Sequence, residues 1–141
     1  MFDIIILHIY VIVNRKVGKK LNWLKEAEKE LKSQGFRLKA TNNIKERIGI
    51  LSKLPRSNEN TETQLELYNQ LEALYKLTEL CEKALNCLPE LEKEILTEFY
   101  ITPHKDHVDY ICTIFAIEKS SVYRIKKQAL ESFSNIMFGA C

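Results

Sequence analysis

Residues 88–138 read LPELEKEILTEFYITPHKDHVDYICTIFAIEKSSVYRIKKQALESFSNIMF, and this stretch decides the fold. Pro89 favours a first helical position, and Glu90, Glu92 and Glu94 suit the positive end of a helix dipole. Leu91, Ile95, Leu96 and Phe99 then repeat at helical spacing, which predicts a helix from Pro89 to about Tyr100. A second helix is predicted from about Asp106 to Phe115 and a third from about Lys119 to Phe138. Only Ala116-Ile117-Glu118 separates these two, the layout of a helix-turn-helix. Ile111, Phe115, Ile117, Val122 and Ile125 are its predicted small core, with Cys112 on the inner face.

The third helix has two different sides. Val122, Ile125, Ala129, Leu130 and Phe133 make a core stripe, while Ser120, Tyr123, Arg124 and Lys127 face away from it. Lys119, Ser121 and Lys126 flank that outer side, and no acidic residue occurs from 119 to 130. An α-helix fits the DNA major groove. There Arg reads guanine bidentately, Ser and Lys bond to bases or phosphates, and Tyr contacts a phosphate or a thymine methyl group. Ser120, Tyr123, Arg124 and Lys127 are therefore the candidate reading residues, and Lys119, Ser121 and Lys126 the candidate phosphate holders. His104 and Lys105, in the loop before the helix-turn-helix, are further candidates for the duplex backbone. The plainer interpretation, a solvated basic face on a helix pair that contacts protein, stands beside this one.

Upstream, Leu21, Leu24, Ala27 and Leu31 predict a helix that Gly35 stops. A second is predicted from Asn43 to Leu54, with Asn43 and Glu46 as a capping box and Pro55 as its end. Pro55-Arg56-Ser57-Asn58-Glu59-Asn60 reads as a hinge. Thr61, followed by Gln64, opens a long helix whose seam is Leu67, Leu71, Leu74, Thr78, Cys81, Leu85 and Leu88. Such a broad apolar face must be covered, either by the upstream helices or by a second copy of the chain. A homodimer through the 61–88 helix is one expectation, and an intramolecular antiparallel bundle is the other.

The chain has 141 residues, 45% of them hydrophobic, with four glycines and three prolines. So few breakers disfavour turn-rich β folds and point to an all-α protein. The expected architecture is N-terminal helices packed on or beside a long central helix, followed by a helix-turn-helix. The expected divisions are 1–16, an apolar extension, 17–87, a helical extension, and 88–141, the DNA-binding domain. The net charge of +2 conceals segregation: residues 61–100 hold nine acidic and three basic residues. Ile4 to Val13 is apolar but, at ten residues, too short to span a bilayer, so no stable membrane insertion is expected. A β-prone packing segment, a membrane-surface anchor and an artefact of a misassigned start codon all remain open for it.

Cys81, Cys87, Cys112 and Cys141 show no CxxC spacing and read as core residues of a reducing cytosol, with Cys141 free at the terminus. His104 and His107 lack paired cysteines, so no metal and no cofactor is expected. No glycine-rich phosphate loop, nucleophile elbow or HExxH occurs, so no enzyme is expected. Asp106 and Asp109 near the histidines read as helix-dipole partners.

The segment 88–133 resembles the C-terminal region of ArpU-type phage transcriptional regulators, relatives of the RinA activators, which also resemble region four of sigma factors. The matching positions are Leu88, Pro89, Ile95, Leu96, Tyr100, Asp106, Tyr110, Ile117, Ser120, Tyr123, Arg124, Lys126, Ala129 and Leu130. A looser likeness reaches back to about residue 20. Glu118 stands where the family usually places a capping Ser, and Val122 replaces an aromatic. The resemblance implies a sequence-specific regulator of phage or prophage late or packaging genes, acting on double-stranded DNA in the cytoplasm of a bacterial host. RNA polymerase is a further expected partner, read from the acidic helix around Glu62 to Glu98 on a protein-interaction reading. The alternative from another class is an oligomerisation or protein-interaction module, such as a component of a small-terminase-like packaging assembly.

Overall fold

The computed structural model describes residues 20–139. The apolar segment at 4–13, with its three open readings, lies outside the described residues, as does Cys141. All regular secondary structure among the described residues is helical: α1 (Lys20–Ser52), α2 (Asn58–Asn86), α3 (Glu90–Leu96), a π-helical turn (Thr97–Ile101), α4 (His107–Phe115) and α5 (Lys119–Phe138). No helix among them is long and apolar enough to cross a membrane.

Helix α1 overturns the expected break at Gly35 and the fresh start at Asn43, since it runs 33 residues without interruption. A lone glycine costs a helix only about 1 kcal/mol, and no proline enforces a stop. The buried stripe does continue, through Leu31, Gln34, Arg37, Thr41, Ile44 and Ile48, but three of these are polar, so a hydrophobic pattern cannot see it. The expected hinge also shrinks. Ser57, with extended backbone, accepts a hydrogen bond from the Asn60 amide at 3.1 Å and caps α2. The helix therefore begins at Asn58 rather than Thr61, and Asn60 ties back to the Pro55 carbonyl at 3.0 Å.

Helices α1 and α2 form an antiparallel hairpin. The α2 seam is covered within the chain, chiefly by α1. Near the hairpin tip, Ile44 and Ile48 pack on Leu67 and Leu71. At the open end Trp23, Ala27, Leu31, Cys81, Leu85 and Leu88 form the main core, closed by Leu96 and by Ala129, Leu130, Phe133 and Phe138 of α5. Between the two cores lies a polar layer. Arg37 donates to Gln34 Oε1 and to Glu30 Oε1, and the Gln34 amide reaches the Thr78 carbonyl at 3.2 Å.

A third core belongs to the helix-turn-helix: Ile95, Ile111 and Val122, with Phe99, Phe115, Ile117 and Ile125 around them. Helix α3 and the π turn serve both sides. Ile95 and Phe99 enter the small core, whereas Leu96, Tyr100 and Ile101 enter or border the main one. Pro89 sits just ahead of α3 as its cap. The expected α-helix to Tyr100 gives way after Leu96 to the wider turn. Helix α5 is shared in the same way, its first half in the small core and its second in the bundle.

Candidate nucleic-acid interface

The two predicted helix-turn-helix helices appear at His107–Phe115 and Lys119–Phe138, within a residue of expectation. The turn between them is sharp because Ala116 adopts the left-handed conformation (φ 52°), its amide and that of Ile117 both donating to the Cys112 carbonyl. Glu118 makes no side-chain cap, so the first-turn amides of α5 gain nothing from it.

Val122, Ala129, Leu130 and Phe133 are buried, and Ile125 is half-buried against the small core. On the opposite side Ser120, Tyr123, Arg124 and Lys127 are exposed together, and Lys119 is exposed at the helix start. The structure thus brings all four candidate reading residues onto one open strip. Ser121 and Lys126 are half-buried at its edges.

Lys126 has an engagement that the sequence did not announce. Its ammonium lies 4.5 Å from the centre of the Phe99 ring and 5.5 Å from that of Tyr100. The same Phe99 ring receives Tyr123 edge-on at 5.9 Å and His107 at 4.6 Å. Phe99 is therefore the hub beneath the strip: it fixes the Tyr123 ring and draws Lys126 inward. Its apolar spacing marked it only as core, and nothing local to residue 99 signals contacts to 107, 123 and 126.

His104 is also committed. Its backbone amide donates to Glu98 Oε2 at 3.0 Å, its ring nitrogen Nδ1 lies 2.5 Å from Glu98 Oε1, and its ring stacks on Tyr110 at 4.5 Å. Glu98, which no local sequence pattern marks, is 1% exposed. Lys105 is exposed. Among the described residues, no group of three or more His, Cys, Asp or Glu side chains is placed to hold a metal ion.

No protein-family model, no curated protein and no solved structure matches this chain.

Proposed function

We propose that the chain is a helix-turn-helix protein that binds double-stranded DNA sequence-specifically through α5. We further propose that it is a transcriptional regulator of the ArpU type, acting on phage or prophage genes in the cytoplasm of a bacterial host. The observation that supports the reading is the strip Ser120–Tyr123–Arg124–Lys127, exposed on the second helix of the motif with a continuous core stripe behind it. Arg124 and Tyr123 read base edges, Ser120 and Lys127 bond to bases or phosphates, and Lys119 and Ser121 hold the backbone, while Lys126, drawn over Phe99, shapes the edge of the strip.

The test is selection of duplexes from a random pool at two salt concentrations, followed by affinity measurements. Arg124→Ala is expected to cost about 1–3 kcal/mol on the selected site and to relax preference at one position. Binding as tight as the parent's would show that Arg124 does not read the site.

A second reading, self-association, draws support from a different observation. With its seam covered by α1, α2 still exposes Leu65, Tyr68 and Tyr75 along one side. Sedimentation of the full chain separates the cases: a monomer or dimer accords with the regulator, and a ring of many copies with a packaging component. The acidic exposed residues of α2 are the surface we assign to an RNA polymerase contact.

A further inference from the structure

An exposed loop residue is held here by a buried carboxylate, the reverse of the usual arrangement. The His104 side chain is 57% exposed, so packing does not fix it, whereas that of Glu98 is 1% exposed. An ionised carboxylate taken out of water without partners is strongly disfavoured. Both oxygens of Glu98 are used, and both are used by His104: Oε2 by the backbone amide and Oε1 by the ring. The π turn makes this possible. Within Thr97–Ile101 it sends Phe99 to the small core and Tyr100 and Ile101 to the bundle, and it leaves Glu98 under the loop at 102–106.

The far side of His104 reaches α4. Its ring lies nearly parallel to Tyr110 (22° between planes), and the Tyr110 amide donates to the Asp106 carbonyl at 3.0 Å. Asp106 itself is in the left-handed region (φ 57°), which Asp enters more readily than most residues, and it turns the chain into α4. Helix α4 is anchored in the small core through Ile111, and the loop before it adds a second hold at its N-terminal end.

We infer that Glu98, His104 and Tyr110 form a clasp that sets the pose of α4 and, across the Ala116–Glu118 turn, the pose of the Ser120–Lys127 strip. They are positioning residues: none lies on the strip. The clasp stands on the contacts above, and the positioning role rests on the DNA-binding reading.

The experiment compares full-length parent, Glu98→Gln, His104→Ala and Lys127→Ala by backbone hydrogen exchange and by duplex affinity across salt concentrations. His104→Ala alters an exposed side chain and keeps the fold should Glu98→Gln fail to fold. In Glu98→Gln the His104 and Tyr110 amides are expected to exchange about tenfold faster or more, with Leu31 and Leu71 unchanged; His104→Ala is expected to do the same at Tyr110. Both variants are expected to lose about tenfold in affinity with the parent's salt slope, because no phosphate contact is removed. Lys127→Ala instead lowers that slope by about one. Parent-like exchange in both clasp variants overturns the clasp. Faster exchange with parent-like affinity, or a changed salt slope, overturns the positioning role. A parent that binds no duplex overturns the DNA reading and the positioning role with it, while exchange still decides the clasp.

Discussion

The carbonyl oxygen of Ile101 lies 3.0 Å from the point where a Cβ on Gly35 would stand, and the Tyr100 carbonyl lies 3.5 Å from it. The glycine in the middle of α1 is the crossing point of the π turn, and the helix passes through it unbroken. Any side chain there must push backbone that carries Tyr100 and Ile101 against the main core.

Gly35→Ala is therefore expected to destabilise the protein by up to about 2 kcal/mol. The overpacking cost of about 1–3 kcal/mol exceeds the helix-propensity gain of about 1 kcal/mol. Gly49, on the same helix with no atom within 4 Å of an added Cβ, provides the control. There alanine is expected to stabilise by about 0.5–1 kcal/mol. Urea unfolding of the two variants checks the pair; stabilisation by both would remove the close approach as the reason for Gly35.

The polar layer in the hairpin makes an opposite kind of prediction. Arg37→Leu leaves the buried Gln34 oxygen without its donor and Glu30 without its ion pair at 2.7 Å. A loss of about 3 kcal/mol is expected, in line with breaking a largely buried pair. Adding Gln34→Leu is expected to recover a substantial part of it, because the orphaned oxygen goes too. A double-mutant cycle with additive losses would show that the layer does not act as a unit.

Neighbouring lysines on α5 are expected to behave differently. Lys126 lies over Phe99, so Lys126→Ala costs about 0.5–1 kcal/mol of stability through the lost cation–π contact. Lys127, exposed on the strip, is expected to change stability little and to change duplex binding more. Thermal unfolding and binding of both variants give the two readouts; equal stability losses would argue against the inward role of Lys126.

Alkaline conditions are expected to destabilise the protein through one buried group, Cys81, and one half-buried group, Tyr100. Burial, with Glu30 next in importance, pushes the Cys81 thiol from 9.0 up to about 12. Burial, with Glu28 beside it, pushes the Tyr100 hydroxyl from 10.0 up to about 12. Because the folded values are raised, the stability linked to each group is complete below its unfolded value. It is lost as pH rises through the window between about 9 and 12 for Cys81 and about 10 and 12 for Tyr100. Cys81→Ser and Tyr100→Phe, compared with the parent between pH 8 and 11, check this. Each variant is expected to lose less stability on going alkaline than the parent does.

The helix-turn-helix was legible because its information is local. Period-3.6 apolar residues, the short turn and the segregation of Ser120, Tyr123, Arg124 and Lys127 from Val122, Ala129 and Phe133 all lie within one stretch of chain. The α2 seam was legible for the same reason. What covered that seam was not, since an apolar stripe reports that it must be buried and says nothing of the partner.

Sequence alone determined the all-α class, the positions of α4 and α5 and the composition of the candidate DNA-reading strip, because helical periodicity and charge segregation act between residues three and four apart. Tertiary structure decided that α1 runs through Gly35, that Phe99 anchors Tyr123 and Lys126, and that Glu98 is buried under His104. In each case the partner is supplied by another element, and a glycine, a phenylalanine or a glutamate carries no mark of what it will meet until the helices pack.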